Sequence, residues 1–254
     1  AIPVFMDSNR DDFCMDKYHG DKSIKAQVLV HLTGNVATNH NKEIPVVHDS
    51  AHLLERNCYQ GGLQCFSFHP TKSITTGFGG MIVTDDEKQY EWLKIARAHG
   101  CYKFDGSAWN TKDASRHGYS VAFPGWKMNM TNIQAALGIE QLKRLDWMNA
   151  KRRHVVETYN KFLGLQRQGL HLYPIFVENR GEFLQKMDEA GIKCSVHFEP
   201  LHLMEGYKKF YKEQLHNTEW MGEHIVSLPL FVGMSERQIN HVIQKVKEYG
   251  YIAK

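Results

Sequence analysis

Residues 63–84 read LQCFSFHPTKSITTGFGGMIVT, and the fold turns on them. Leu63–Phe68 and Gly79–Thr84 are short apolar runs, and the polar stretch between them carries Thr71, Lys72 and Ser73. Two similar runs lie upstream: Gln27–Leu32 (QVLVHL) and Ile44–Asp49 (IPVVHD). Runs of this length, apolar nearly throughout, predict strands buried on both faces of a sheet covered by helices. Polar residues gather where the runs end, at Asp49, Ser67 and Lys72. Open α/β sheets bind ligands at the carboxyl ends of their strands, so the pattern points to a site there.

The rest of the chain fits an ordinary globular protein. Of its 254 residues, 42% are hydrophobic and 23% charged, and 31 basic residues against 28 acidic ones leave a net charge of +3. That balance gives no reason to expect a nucleic-acid or anionic-membrane partner. No apolar run reaches the length of a membrane span. Five cysteines, an odd number without a CxxC pair, read as reduced thiols of a cytoplasmic protein. Ile2-Pro3-Val4-Phe5 reads as a strand, and a chain opening inside a strand is expected to lack a piece upstream.

Helix signals follow the apolar runs. Thr131 and Gln134 form a capping box, with Leu137, Leu142 and Leu145 continuing the helix. A second amphipathic helix is predicted over Lys151–Leu163, with Val155, Tyr159 and Phe162 on one face. Beyond Gly169 the elements shorten: strand His171–Val177, helix Gly181–Ala190, strand Lys193–Phe198. A last helix opens at Ser235 with Gln238 completing its box, and carries Ile239, Val242, Ile243 and Val246. The chain therefore divides into a large α/β domain over 1–146 and a smaller α/β domain over 147–254.

Asp49 ends a buried run, where its carboxylate needs a cationic partner. Ser67 offers a hydroxyl, Lys72 an amine, and Gly77, Gly79 and Gly80 a close backbone approach. Each alone has a plain reading as a turn, a cap or surface solubility. Spacing by itself leaves an α/β enzyme of open cofactor.

Longer motifs narrow this. VVHDSAHLLE (46–55) resembles the D-x-A-Q/H stretch of the DegT/DnrJ/StrS family of sugar aminotransferases. CFSFHPTKSITTGFGGMIVTDDE (65–87) resembles that family's lysine motif, and PGWKMNMTNIQAALGIEQLKRLD (124–146) its M-T/S-x-I-Q-A-A helix. VHLTGN (30–35), GIKCSVHFEPLHL (191–203) and SLPLFVGMSERQI (227–239) are further matches in collinear order. The resemblance implies a fold-type-I pyridoxal phosphate enzyme with a mostly parallel sheet. It implies transfer of an amino group, typically from glutamate, to a nucleotide-linked keto-sugar, in a homodimer with shared active sites. Carried over by position, Lys72 matches the lysine that bonds the cofactor and Asp49 the partner of its pyridine nitrogen. His52 matches a residue beside the ring, and Ser67 a phosphate-binding serine. The loop of His197 and His202 is placed near substrate.

Three departures stand out. Where the family reads G-Y-N-Y-R-M-T, this chain has Lys127 at the asparagine that reaches a partner subunit's phosphate, and Asn129 follows two residues later; both are candidates. Phe78 replaces an acidic residue between the glycines. No G-T/S-x-A turn is present, so the large domain is expected to lack its start.

Several alternatives compete. His48, Asp49 and His52 could serve a metal-dependent hydrolase, but the strand before Asp49 argues against helical i,i+4 ligands. A truncated homologue that binds without turnover is the other rival. His31 reads equally as a buried structural histidine or as a substrate contact. Trp126 reads as packing rather than sugar stacking. The basic run from Lys143-Arg144 to Lys151-Arg152-Arg153 reads as a solvated helix face.

Overall fold

The computed structural model describes residues 1–18, 20, 22–103 and 119–252. Its larger sheet has four strands in sequence order: β1 (Gln27–Val30), β2 (Val46–Asp49), β3 (Leu63–Ser67) and β4 (Gly80–Val83). The first three run parallel and β4 returns antiparallel, so the sheet is mostly parallel, as expected. This register places the site. Asp49 and Ser67 both end parallel strands, and Ser67 pairs with Gly80, the first residue of β4. The β3–β4 connection, which carries Lys72, therefore hangs from the same edge as Asp49. A side chain at Gly80 would meet the Phe66 carbonyl at 2.5 Å, which fixes glycine at that start.

Burial on both faces is realised only in part. Leu29 is buried, but Val28 is 65% exposed and Met81 52% exposed. Those faces of β1 and β4 stay partly open to solvent.

Helix α1 (Glu87–Ala96) is capped by the Asp86 carboxylate, and a small hairpin joins β5 (Cys101–Lys103) to β6 (Tyr119–Val121). Helix α2 (Asn132–Lys143) starts at the Thr131/Gln134 capping box. The next helix, α3, runs Leu145–Leu163, six residues earlier than the periodicity placed its start. Its buried face holds Val155, Val156, Tyr159 and Leu163, while Phe162 is 45% exposed and leaves the predicted stripe. Gly164, in the left-handed region, ends the helix.

A two-stranded sheet of β7 (Tyr173–Phe176) and β8 (Ile225–Leu228) follows, with α4 (Arg180–Glu189), α5 (His216–His224) and α6 (Glu236–Tyr249). Helix α6 opens on the Ser235/Gln238 box and buries Ile239, Val242, Ile243 and Val246. These pack with Tyr159, Ile175 and Met187 in the largest apolar cluster. A separate cluster joins Phe68 and Ile74, on either side of Lys72, to Leu145 and Met148 at the start of α3. One helix thus serves both clusters.

Two predicted strands are absent. At 193–198 only Ser195 bridges to Ser227, because beyond it the chain leaves β8 to wall a cavity. Ile2–Phe5 is not a strand either. Pro3 lacks a ladder donor, Ile2 and Val4 are exposed, and Phe5 sets its ring 5.9 Å from that of His202. The N-terminal segment is held instead by Asp7, whose carboxylate accepts the N–H groups of Asn217 (3.0 Å) and Thr218 (2.8 Å) at the start of α5.

Candidate active site

Asp49 sits at the end of β2, with Oδ1 accepting the Ala51 N–H at 3.0 Å. Among the described residues, Oδ2 has no hydrogen-bond partner. Lys72 follows a turn closed by its own N–H to the His69 carbonyl (3.0 Å), and its side chain is half-buried. Burial pushes the Lys72 amine below its ordinary value, and the Asp49 carboxylate nearby pulls it back up. Among the described residues no acid lies within ion-pair distance of the amine.

His52 accepts the Thr33 N–H at Nδ1 (3.3 Å), which leaves the ring proton on Nε2. Its ring centroid lies 4.2 Å from that of His171 and 6.0 Å from that of Phe198. Burial, then the Lys72 and His197 charges, push His52 down to about 3. His171 falls to about 2, by burial first and then by His52, Lys72, Arg152 and His197. His197 is likewise lowered by burial and by Lys72, and its Nδ1 lies 2.9 Å from the Ser227 hydroxyl. Three neutral imidazoles thus gather around one amine. A cavity of about 450 Å³ opens beside them, walled by Asp49, His52, His197, Phe198, Met204 and Met221 among others. Lys72 is not part of its wall.

The structure brings Asp49, His52, Lys72 and His197 together. Ser67 stands at the end of β3 with its hydroxyl accepting the His69 N–H at 3.3 Å, just before the Lys72 turn. Lys127 and Asn129 are exposed on the segment leading into α2. That segment borders the Lys72 connection through Gln134, whose side chain donates to the Phe78 carbonyl at 2.9 Å.

Two candidates need correction as substrate contacts. His31 is fully buried, with Nδ1 accepting the Ala37 N–H (2.9 Å) and Nε2 3.1 Å from His48 Nδ1. Both of its nitrogens are used inside the protein, so it takes the structural role. His202 is buried too, its Nε2 3.2 Å from Glu219 Oε1 and its ring packed between Phe5 and Tyr211. The metal alternative also loses its geometry, because His48 turns to His31 and His52 to His171. Among the described residues, no cluster of histidine, cysteine or acidic side chains is placed to hold a metal ion.

Two residues at the site were missed. His171 precedes β7 and gives no signal beyond its own identity. Arg152 is not solvated: its guanidinium donates to the Ser73 carbonyl (2.9 Å) and to Asn149 Oδ1 (3.1 Å).

Known proteins resemble this chain in sequence and in fold. The model of the DegT/DnrJ/EryC1/StrS aminotransferase family matches residues 1–247. The spore coat polysaccharide biosynthesis protein SpsC of Bacillus subtilis is 33% identical, over 98% of this chain and 73% of its own. Spr1654 of Streptococcus pneumoniae, a protein assigned as a sugar aminotransferase, superimposes in its PLP-form with a TM-score of 0.79 at 27% identity, covering 98% of this chain and 75% of that one. The fold also matches Helicobacter pylori PseC, an aminotransferase of pseudoaminic acid biosynthesis, with a TM-score of 0.82 at 24% identity over 97% and 73% of the two chains. The fold is that of the fold-type-I aminotransferases, and the cofactor is pyridoxal phosphate, both as the motifs implied.

Proposed function

This chain belongs to the DegT/DnrJ/EryC1/StrS aminotransferase family, and we propose that it moves an amino group from glutamate to a nucleotide-linked keto-sugar. The observation that carries this reading is the half-buried Lys72 amine beside Asp49, at the sheet edge where β2 and β3 end.

The donor set fits pyridoxal phosphate. Lys72 supplies a primary amine, Asp49 a carboxylate oxygen without a partner among the described residues, Ser67 a hydroxyl, and His52 a ring N–H. Lys72 would hold the cofactor, Asp49 would face its ring nitrogen, Ser67 its phosphate and His52 the ring. When bound, the cofactor supplies an aldehyde for amines and a ring that draws electrons from the adjacent carbon. Partial burial favours the neutral form of Lys72 Nζ, the form able to take up a proton. Asp49 keeps that amine from becoming too weak a base, and its fixed charge favours a cation opposite it. The neutral histidines add no further positive charge beside Lys72. His197 and Phe198 wall the space in which we place the sugar.

A homodimer with a shared site belongs to the same reading. Exposed apolar residues along α2 support it, with Ile133 at 84% and Leu137, Ile139 and Leu142 beside it. Lys127 and Asn129, exposed just before this helix, are the candidates for a phosphate held by a neighbouring copy. Sedimentation is expected to give a dimer, and a monomer at every concentration would remove this part. The five free thiols support a reducing, cytoplasmic setting. A large unit over 1–146 and a small one over 147–254 belong to the same reading, supported by the largest apolar cluster, whose members all lie at Val155 or beyond. No helix among the described residues is long and apolar enough to cross a membrane.

The decisive experiment supplies pyridoxal phosphate, glutamate and a panel of nucleotide-linked keto-sugars. Aminated sugar and 2-oxoglutarate should rise in equal amounts. Cofactor binding at Lys72 without either product would leave a binding homologue and overturn the proposed reaction.

A further inference from the structure

Both halves of the site hang from a single turn of α3. Arg152 donates one guanidinium nitrogen to the carbonyl of Ser73, the residue after Lys72, at 2.9 Å. Its other terminal nitrogen donates to Asn149 Oδ1 at 3.1 Å, one helical turn back. Asn149 in turn donates from Nδ2 to the carbonyl of Leu54, at 2.9 Å, in the loop that follows Asp49 and His52. Apolar contacts run parallel to this chain. Phe68 and Ile74, flanking Lys72, are buried against Leu145 and Met148 on the same helix face.

We propose that Arg152, through Asn149, is a positioning residue that sets the spacing between the Lys72 turn and the Asp49–His52 loop. The physical case is direct. β2 and β3 fix where the two loops leave the sheet, but not where their tips come to rest. A backbone carbonyl held by a charged donor is held more firmly than by a neutral one. A forked guanidinium can also hold two acceptors at a fixed angle, which an ammonium cannot. Arg152 therefore ties the turn after Lys72 to the side chain that ties the loop after His52. The same guanidinium is close enough to lower His171, the ring packed on His52. Its charge thus also helps keep that group of imidazoles neutral. The importance of this spacing rests on Lys72 and Asp49 acting as proposed above. The clasp itself stands apart from that reading.

The test combines two readouts on the whole chain. Hydrogen exchange without any cofactor follows peptides covering 50–55 and 67–76 against a peptide covering β8 as the control. In Arg152→Met both site peptides should exchange about tenfold faster while the control peptide is unchanged, as the loss of a charged hydrogen bond predicts. General destabilisation would speed all three. Pyridoxal phosphate fixed with borohydride then reports the share of label that falls on Lys72. That share should drop several-fold in Arg152→Met, with Arg152→Lys falling between it and the wild type. Arg152→Lys retains charge and length, and it alone decides the matter should the methionine variant fail to fold. Unchanged exchange at 67–76 in a folded variant overturns the proposal. A wild-type chain without label at Lys72 would instead remove the assigned role of Lys72, leaving the exchange result to judge the clasp.

Discussion

Lys72→Ala is expected to abolish the visible absorbance of bound cofactor and to cut transamination at least about a thousandfold, since both cofactor bonding and proton movement are placed on that one amine. The variant should fold normally. Lys72 has no ion pair among the described residues, and its removal takes a partly desolvated cation out of the site. Unfolding by heat or urea should therefore match the wild type. A second consequence sets this loss apart from ordinary damage. The Lys72 charge lowers His52, His171 and His197, so all three imidazoles should titrate higher in the variant, readable by NMR. A small primary amine added to the solution should restore part of the activity, because the missing group is simply an amine in a half-open site. Retention of a tenth of the wild-type rate would remove Lys72 from the reaction. Unmoved histidines would place the amine away from them.

Much of this arrangement could be read from the chain because its causes are local. The capping boxes at Thr131/Gln134 and Ser235/Gln238 rest on residues three apart, and both helices start there. Asp49 and Lys72 were visible because the one ends and the other follows a strand that the apolar pattern delimits. Arg152 was hidden by a boundary error. With α3 starting at Lys151, Arg152 falls in a basic run at a helix end. With the start at Leu145, residues 145, 148, 149, 152, 155, 156, 159 and 163 form one inward stripe. Arg152 then stands among seven buried positions. That stripe lies in the sequence once the helix extends backward over Asp146, Trp147 and Asn149. The pairing of His52 with His171 had no such signal. Residues 119 positions apart meet only because the chain before β7 passes the end of β1, where the His171 N–H reaches the Thr33 carbonyl at 3.0 Å. The strand expected over 193–198 failed for a similar reason. Its composition suits a strand, yet its side chains are used on the cavity wall.

The buried histidines make the fold acid-sensitive, with His31 the clearest case. The Ala37 N–H occupies Nδ1, so the single ring proton sits on Nε2 and is donated to His48 Nδ1 at 3.1 Å. The two rings lie stacked with centroids 5.2 Å apart. A second proton on His31 would break the Ala37 contact and place a charge in a fully buried site. Burial is the largest influence, the neighbouring His48 adds to it, and Asp49 opposes both, leaving His31 at about 4. His48 is itself held down by burial and by His40. The sign follows from linkage. An unfolded chain takes up this proton near the ordinary histidine value of about 6.5, whereas the folded chain refuses it until about 4. The contribution of His31 is therefore complete above about pH 6.5 and is lost as pH falls toward about 4. At about pH 5 the loss is roughly 2 kcal/mol from this residue alone. His52 and His171, lowered further, push in the same direction. Urea unfolding of the wild type and of His31→Gln at neutral pH and at about pH 5 separates the contributions. The variant should start less stable, having weakened a buried pair. It should then lose roughly 2 kcal/mol less between the two conditions, since glutamine has no proton to gain. Equal losses in both proteins would mean that His31 takes up its proton without unfolding. The buried pair would then have to be opening to water in the native state.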